Sequence, residues 1–426
     1  MIHALVIGAS LLASAHATTT SGSFTALSFN VAGLPAIFNS NDVNGTKTEN
    51  AEEIGTYFAE YGYDIINMQE DFNYHAYIYE TDNHTYRTST SGGAGIGSGL
   101  NTISNYDWVD FTRTKGFTFM RWNPSTGVYI DVYNLHADAG TEDGDETARN
   151  ANLQQVADYI DTWSVGNAVI VMGDTNSRYT RSADTGIRVF KSQNDLTDAW
   201  VQLEQGGVYP TAGADAVVCD NPSTTLKCET VDKVLYRGSN IVTLDANSFV
   251  YDGEEFLNTD ADYLGDFLSD HNPVLVNFAW SMSNSLRQSE YSGGPHGDWF
   301  NDLPNMPSSP TASVLTFAGG SRLDSVAIKL TNGTTFSHGG TGGTAVSLTL
   351  GTNEHWIKTE LCTGKYNSET RNFYIKATTS AGNTLEAGTA TDDCSTFTAD
   401  DGYAVVGFMG QDGDEMDQLA LIYASY

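Results

Sequence analysis

Five short polar stations border apolar runs in the first two thirds of the chain: Asn30, Gln69-Glu70, His136, Gly173-Asp174-Thr175-Asn176 and Ser269-Asp270-His271. Their residue types fit a metal-assisted attack on a phosphoester. That chemistry needs a divalent ion held on a phosphate oxygen, a water oriented for attack, and help for the departing oxygen. Hard cations take oxygen ligands, so Glu70 with the amide of Asn30 forms a candidate metal site. Asp174 and Asn176 lie two apart and share a face if the turn stays extended. The carboxylate would then orient water while the amide grips a phosphate oxygen. His136 and His271 are the candidate donor and base, and Asp232 in Val231-Asp232-Lys233-Val234-Leu235 could hold a histidine in its working tautomer.

The elements that must position these side chains are readable around them. Residues 25–29, 64–68, 128–135 and 168–172 are short, β-branched or aromatic runs bounded by turn residues, and read as strands. Between them, Ile54, Tyr57, Phe58 and Tyr61 repeat at helical spacing after Asn50 and Glu52-Glu53, as do Leu153, Val156, Ala157 and Ile160 after Asp145. Strands alternating with helices predict an α/β layered domain whose strand ends gather the stations at one edge. The glycine-rich stretch 92–99 lacks the spacing and lysine of a phosphate-cradling loop, and reads as a flexible loop or lid. Asp145 and Arg149 read as a helix-capping acid and a surface ion pair.

In this order the motifs resemble the endonuclease/exonuclease/phosphatase superfamily, the deoxyribonuclease I-like fold. Leu27-Ser28-Phe29-Asn30, Met68-Gln69-Glu70, Asn134-Leu135-His136, Gly173-Asp174-Thr175-Asn176, Val231-Asp232-Lys233-Val234-Leu235 and Ser269-Asp270-His271-Asn272-Pro273-Val274 carry the resemblance. It implies a four-layer α/β sandwich of two packed sheets. It also implies that Asn30 and Glu70, with Asp270 close by, bind Mg²⁺ or a similar cation such as Ca²⁺ or Mn²⁺. By the same resemblance Asp174 and Asn176 handle water and phosphate, His271 paired with Asp232 is general base or phosphate ligand, and His136 contacts the phosphate or assists the leaving group. Lys233 departs from the pattern, and its charge faces either substrate or solvent. The family does not fix the substrate, because nucleases, sphingomyelinases and inositol-phosphate phosphatases share these stations. The aromatic residues Phe72, Tyr74, Tyr77 and Tyr79 would stack on a base, touch a lipid interface or pack against the sheet, with packing expected for at least two.

After Trp280 the pattern changes to short strand-like runs separated by Gly, Thr and Asn, which predicts an all-β domain. Ser292-Gly293-Gly294, Arg322-Leu323-Asp324, His338-Gly339-Gly340 and Gly413-Asp414-Glu415-Met416-Asp417 resemble the jacalin-like lectin family, whose fold is an all-β prism. The resemblance puts a sugar site at Gly293, Gly294 and Gly413 to Asp417. A carboxylate beside backbone donors suits a pair of sugar hydroxyls. Asp414 and Glu415 stand where some relatives carry aromatics, which removes a stacking face.

The first 17 residues, with an apolar centre and Ala15-His16-Ala17, read as a secretory signal. The expected organisation is therefore a signal at 1–17, the hydrolase-like domain at 18–280, a polar linker at 281–290 and the lectin-like domain at 291–426. No other stretch is apolar enough to span a bilayer as a helix. Cys219 and Cys228 fall in the first part and Cys362 and Cys394 in the second, so an oxidising compartment favours one disulfide in each. A net charge of −33 leaves no basic stripe for a polyanion, though a bridging cation keeps nucleic acid open as a substrate. The leading expectation is a secreted phosphodiester hydrolase, acting on a lipid head group or another phosphodiester, carried to glycans by its lectin domain. An acidic nuclease and a lectin on an inactive scaffold are the rival expectations.

Overall fold

A computed structural model describes residues 19–35, 41, 43–90, 97–114 and 116–426. The expected signal sequence and most of the 92–99 loop lie outside these residues. Two six-stranded sheets build the first part. One runs in the order Val242–Tyr251, Val274–Met282, Ser21–Asn30, Ile65–Gln69, Asn101–Ser104, Tyr86–Arg87. The other runs Trp108–Arg113, Phe117–Ser125, Val128–His136, Ala168–Asp174, Asp232–Arg237, Thr197–Asp198.

Each sheet has one parallel pair at its centre, and the helix of each crossover covers its outer face. The helix Lys47–Tyr61 starts earlier than its apolar spacing suggests, because Thr46 caps it by accepting from the Glu49 N–H. It ends at Gly62, whose φ of 62° closes the last turn. The helix buries Ala51, Ile54 and Phe58. Helix Asp143–Trp163 opens on a capping box made by Glu142 and Asp145 and buries Leu153, Val156, Ala157 and Ile160. Each such fully buried Leu, Val, Ile or Phe side chain stabilises the layer by about 1.5–3 kcal/mol. The architecture is thus the expected four-layer α/β sandwich.

The inner faces meet through Phe24, which packs edge-on to Trp122 at 4.9 Å and stacks with Phe278 at 5.3 Å. Near the site the contact turns polar. Gln69 donates to Asn134 Oδ1 at 2.8 Å, and Asn134 Nδ2 donates to the Met68 and Asn101 carbonyls, both at 3.0 Å. Buried amides so paired fix the slide of one sheet on the other, since a shift would leave them unsatisfied.

The second part is built of three antiparallel sheets around Phe317, Trp356, Phe408 and Leu419. This is a β-prism. Both cysteine pairs are bonded as expected, Cys219 to Cys228 and Cys362 to Cys394. The strand Val274–Met282 of the sandwich is followed almost at once by Leu286–Gln288, which pairs with the last strand Met416–Ser425. Glu290 then turns back to accept from the Gly127 N–H at 2.6 Å and from the Tyr129 hydroxyl. Gln411 of the prism donates to Asp110 at 2.9 Å, and the Arg121 guanidinium lies 3.6 Å from the Trp299 ring centre. These contacts hold the prism against the outer strands of the second sheet.

Candidate active site

Strand register explains how distant stations meet. Asn30 is opposite Gln69, His136 is opposite Asp174, and Asp174 is opposite Asp232. Residues 269–273 lie just before the strand Val274–Met282, whose first residue is opposite Ser28. Ser269 ties that turn down by donating to the Asn30 carbonyl at 2.5 Å. All the stations therefore lie on one edge of the sandwich.

Asp174 Oδ2 is the point on which they converge. Asn30 Nδ2 stands 3.2 Å away, His136 Nε2 3.4 Å and His271 Nε2 3.7 Å. Its other oxygen accepts from the Asn176 N–H at 2.8 Å. Burial pushes the Asp174 carboxyl up, but His271 and His136 outweigh it and hold the group below the usual carboxylate range. His271 Nδ1 is 2.9 Å from Asp232 Oδ2. Asp232 Oδ1 is buried without a partner, so the hydrogen bonding of this carboxylate is committed to His271. Burial pulls the His271 imidazole down, while Asp232 and Asp174 raise it further, well above its ordinary value. Ligand atoms of Asp174, Asp232 and His271 lie within 4.8 Å of one another.

Two stations differ from their sequence reading. Asn176 has a φ of 48°, so the turn is not extended, and its amide donates to the Ala137 carbonyl at 3.0 Å. Asn30 turns its oxygen to the Ala32 N–H at 3.1 Å and its nitrogen to Asp174, which groups it with the histidines rather than with Glu70. Glu70 instead meets Asp270. One nitrogen, Asn41 Nδ2, lies 3.4 Å from Glu70 Oε2 and 3.2 Å from Asp270 Oδ2. Two carboxylates converging on one donor, one of them exposed, fit a hard divalent cation with open positions. Lys47 reaches the same corner, 3.1 Å from Asn41 Oδ1 and bonded to the Ala32 carbonyl. Asn41 and Lys47 carried no sequence signal, because neither closes an apolar run.

Other expectations resolve as packing. Lys233 faces neither substrate nor solvent: it is buried beside Tyr179 and Trp200, 3.2 Å from Glu229. Arg149 is not a surface residue but is fully buried on Asp184, at 2.6 Å. Tyr74, Tyr77 and Tyr79 pack against the core under the first helix, and Phe72 lies against Gly99.

In the prism, Gly293 has a φ of 93°, and a Cβ there would lie 2.0 Å from the Asp417 carbonyl. Gly294 N–H donates to that carbonyl at 3.1 Å. The Asp417 carboxylate is 2.7 Å from Arg371. Glu415 pairs with Arg322, whose guanidinium stacks 3.8 Å from the Tyr366 ring centre. The Gly413-Asp414-Glu415-Met416-Asp417 loop thus lacks its own aromatic, yet the stack of Arg322 on Tyr366, at the end of the strand Trp356–Tyr366, flanks it.

Residues 39–221 match the family model described as Endonuclease/Exonuclease/phosphatase family 2, and residues 289–422 match the jacalin-like lectin domain. The chain therefore joins a domain of the first family to a domain of the second. Among particular proteins, it is 35% identical over 286 residues to proteins named sphingomyelinase from Mycobacterium bovis and Mycobacterium tuberculosis. The match covers 62% of this chain and 54% of each relative, so the chain spans about half the length of the curated relatives it matches. Similar solved structures include beta toxin 275-280 from Staphylococcus aureus, at 13% identity and TM-score 0.40, covering 59% of this chain and 99% of that one. A mannose-binding jacalin related lectin from Ananas comosus aligns at 17% identity and TM-score 0.30, covering 33% of this chain and 99% of that one.

Proposed function

We propose that the protein is a secreted, divalent-metal-dependent phosphodiester hydrolase of the sphingomyelinase type, brought to glycan-bearing surfaces by its prism. The convergence of Asn30, His136 and His271 on Asp174 Oδ2 carries the reading. The identity with relatives named sphingomyelinase supports the lipid class, and two disulfides suit an extracellular protein. The working division keeps a hydrolase domain and a lectin domain but moves the expected 281–290 linker to the short turn between Met282 and Leu286, since Leu286–Gln288 already pairs with the last prism strand.

Glu70 and Asp270 would hold the cation, Mg²⁺ by preference, with Asn30 at the edge of the site. When bound, such an ion neutralises charge on the phosphate and polarises it toward attack. Asp174 orients the attacking water. The carboxylates that raise His271 would be offset by a cation at Glu70 and Asp270, leaving its Nε2 free to accept the proton while Asp232 fixes the tautomer by taking the Nδ1–H. Asn176 contributes polar contacts beside the phosphate. His136, partly open to solvent, donates a proton to the leaving oxygen. In the prism, Gly293, Gly294 and Asp417 would receive the sugar, and tethering then raises the local concentration of the hydrolase.

Sphingomyelin vesicles and duplex DNA, each offered with Mg²⁺, test the substrate class. Choline phosphate release from vesicles with DNA left intact is expected. Cleavage of DNA with vesicles untouched would replace the lipid reading by a nuclease.

A further inference from the structure

A cleft of about 270 Å³ is lined by Asp232, Asp270, His271, Arg178 and Arg181. The two arginines are held differently. Arg181 is 3.0 Å from Asp184 and donates to the Asn176 carbonyl at 3.1 Å. Asp184 also takes Arg149 and accepts from the Arg178 backbone N–H at 2.8 Å. Its capacity is thereby used on two other guanidinium groups and on the main chain of Arg178. The Arg178 guanidinium itself has no hydrogen bond or ion pair among the described residues, and its Nε is buried without an acceptor.

A partly buried, unneutralised guanidinium is costly and is unexpected in a chain of net charge −33. Asp232, Asp270 and Glu229 border the same cleft, yet none comes within ion-pairing distance of it. The planar fork of arginine suits two oxygens of a phosphoryl group. We infer that Arg178 is a phosphate-binding residue, receiving non-bridging oxygens of the substrate in the cleft it shares with Asp270 and His271. The inference rests on the hydrolase reading and adds to it a contact outside the family-matched stations. Arg178 follows Asn176 by two residues, so the turn that presents Asp174 presents this clamp as well. Its backbone bond to Asp184 fixes the main chain and leaves the side chain to the ligand.

Calorimetric titration of the full chain with inorganic phosphate, in the presence of Mg²⁺, tests this directly. Arg178→Ala should weaken phosphate binding about ten- to a hundredfold. Arg178→Lys, which keeps the charge but not the fork, should fall between and serves as the second variant if the alanine form does not fold. In parallel, KM for sphingomyelin vesicles should rise in both variants. Weakened phosphate binding in variants of a protein that hydrolyses no phosphodiester would uphold the clamp while removing the hydrolase reading. Equal phosphate affinity in wild type and both variants, or no phosphate binding by wild type, overturns the clamp. So does a change confined to vesicles, which would place the contact on the lipid surface.

Discussion

His136 and Asp174 occupy one rung of the second sheet, as register partners on adjacent parallel strands, and their side chains meet with Nε2 3.4 Å from Oδ2. The same aspartate is the register partner of Asp232 on its other side. Three side chains of the proposed site are therefore set by hydrogen-bond register, which is stiffer than loop conformation. Replacing Asp174 by Asn keeps the shape but removes the charge that both imidazoles face. Turnover should fall at least about a hundredfold, with the fold intact by circular dichroism. Unchanged initial rates would exclude Asp174 from the chemistry.

In the proposed mechanism Asp232 acts through His271, to which it is bonded at 2.9 Å. In Asp232→Asn the ring loses the acceptor that fixes its tautomer, so kcat should drop by one to two orders of magnitude, roughly, with KM little changed. A variant whose KM rises while kcat holds would instead assign Asp232 to binding.

Away from the site, His84 is buried with Nδ1 on Asp82 and Nε2 on the Tyr63 carbonyl, an arrangement in which both nitrogens donate. Burial pulls the imidazole down, but Asp82 and the carbonyl more than offset this and raise it above 6.5. The folded state therefore binds the proton more tightly than the unfolded state. This contribution to stability is fully present below about pH 6.5 and disappears as pH rises through the folded-state value. Urea midpoints of wild type and His84→Gln should differ most in mild acid and approach each other at alkaline pH. A gap that widens with pH would contradict the doubly donating imidazolium.

Arg121 joins the domains. It is fully buried, 2.8 Å from Asp131, with Trp299 of the prism on its face. Arg121→Met leaves Asp131 buried and unpaired, and should destabilise the protein by about 3–5 kcal/mol in chemical denaturation. Adding Asp131→Leu should recover part of that loss. If the single and double variants unfold alike, the pair is not the source of the stability.

For the prism, Asp417→Asn, which keeps the shape of this buried, Arg371-paired side chain, should abolish retention of the full chain on a glycan array with the fold intact by circular dichroism. Identical signals from wild type and variant would separate Asp417 from sugar binding.

The stations were legible because each borders an apolar run, and a strand end is where a sheet delivers side chains to a common edge. Residues whose role depends on distant partners were not legible. Arg149 looked like half of a surface pair because Asp184, which buries it, lies 35 residues on. Lys233 looked available because Tyr179 and Trp200 come from separate segments. Asn41, Arg178 and Arg371 sit in loops or at strand edges where no periodicity marks them. The double-sheet fold followed from alternating strands and helices, whereas the docking of the prism through Glu290 and Gln411 involves single polar contacts that composition does not register.

The most direct test of the central claim is Mg²⁺-dependent hydrolysis of sphingomyelin vesicles by wild type and His271→Ala. Wild type should release choline phosphate in proportion to bound metal and stop on chelation, and the variant should be slower by at least about a hundredfold. Equal rates in the two proteins, or a wild-type rate indifferent to chelator, would contradict a metal-assisted site built around Asp174 and His271.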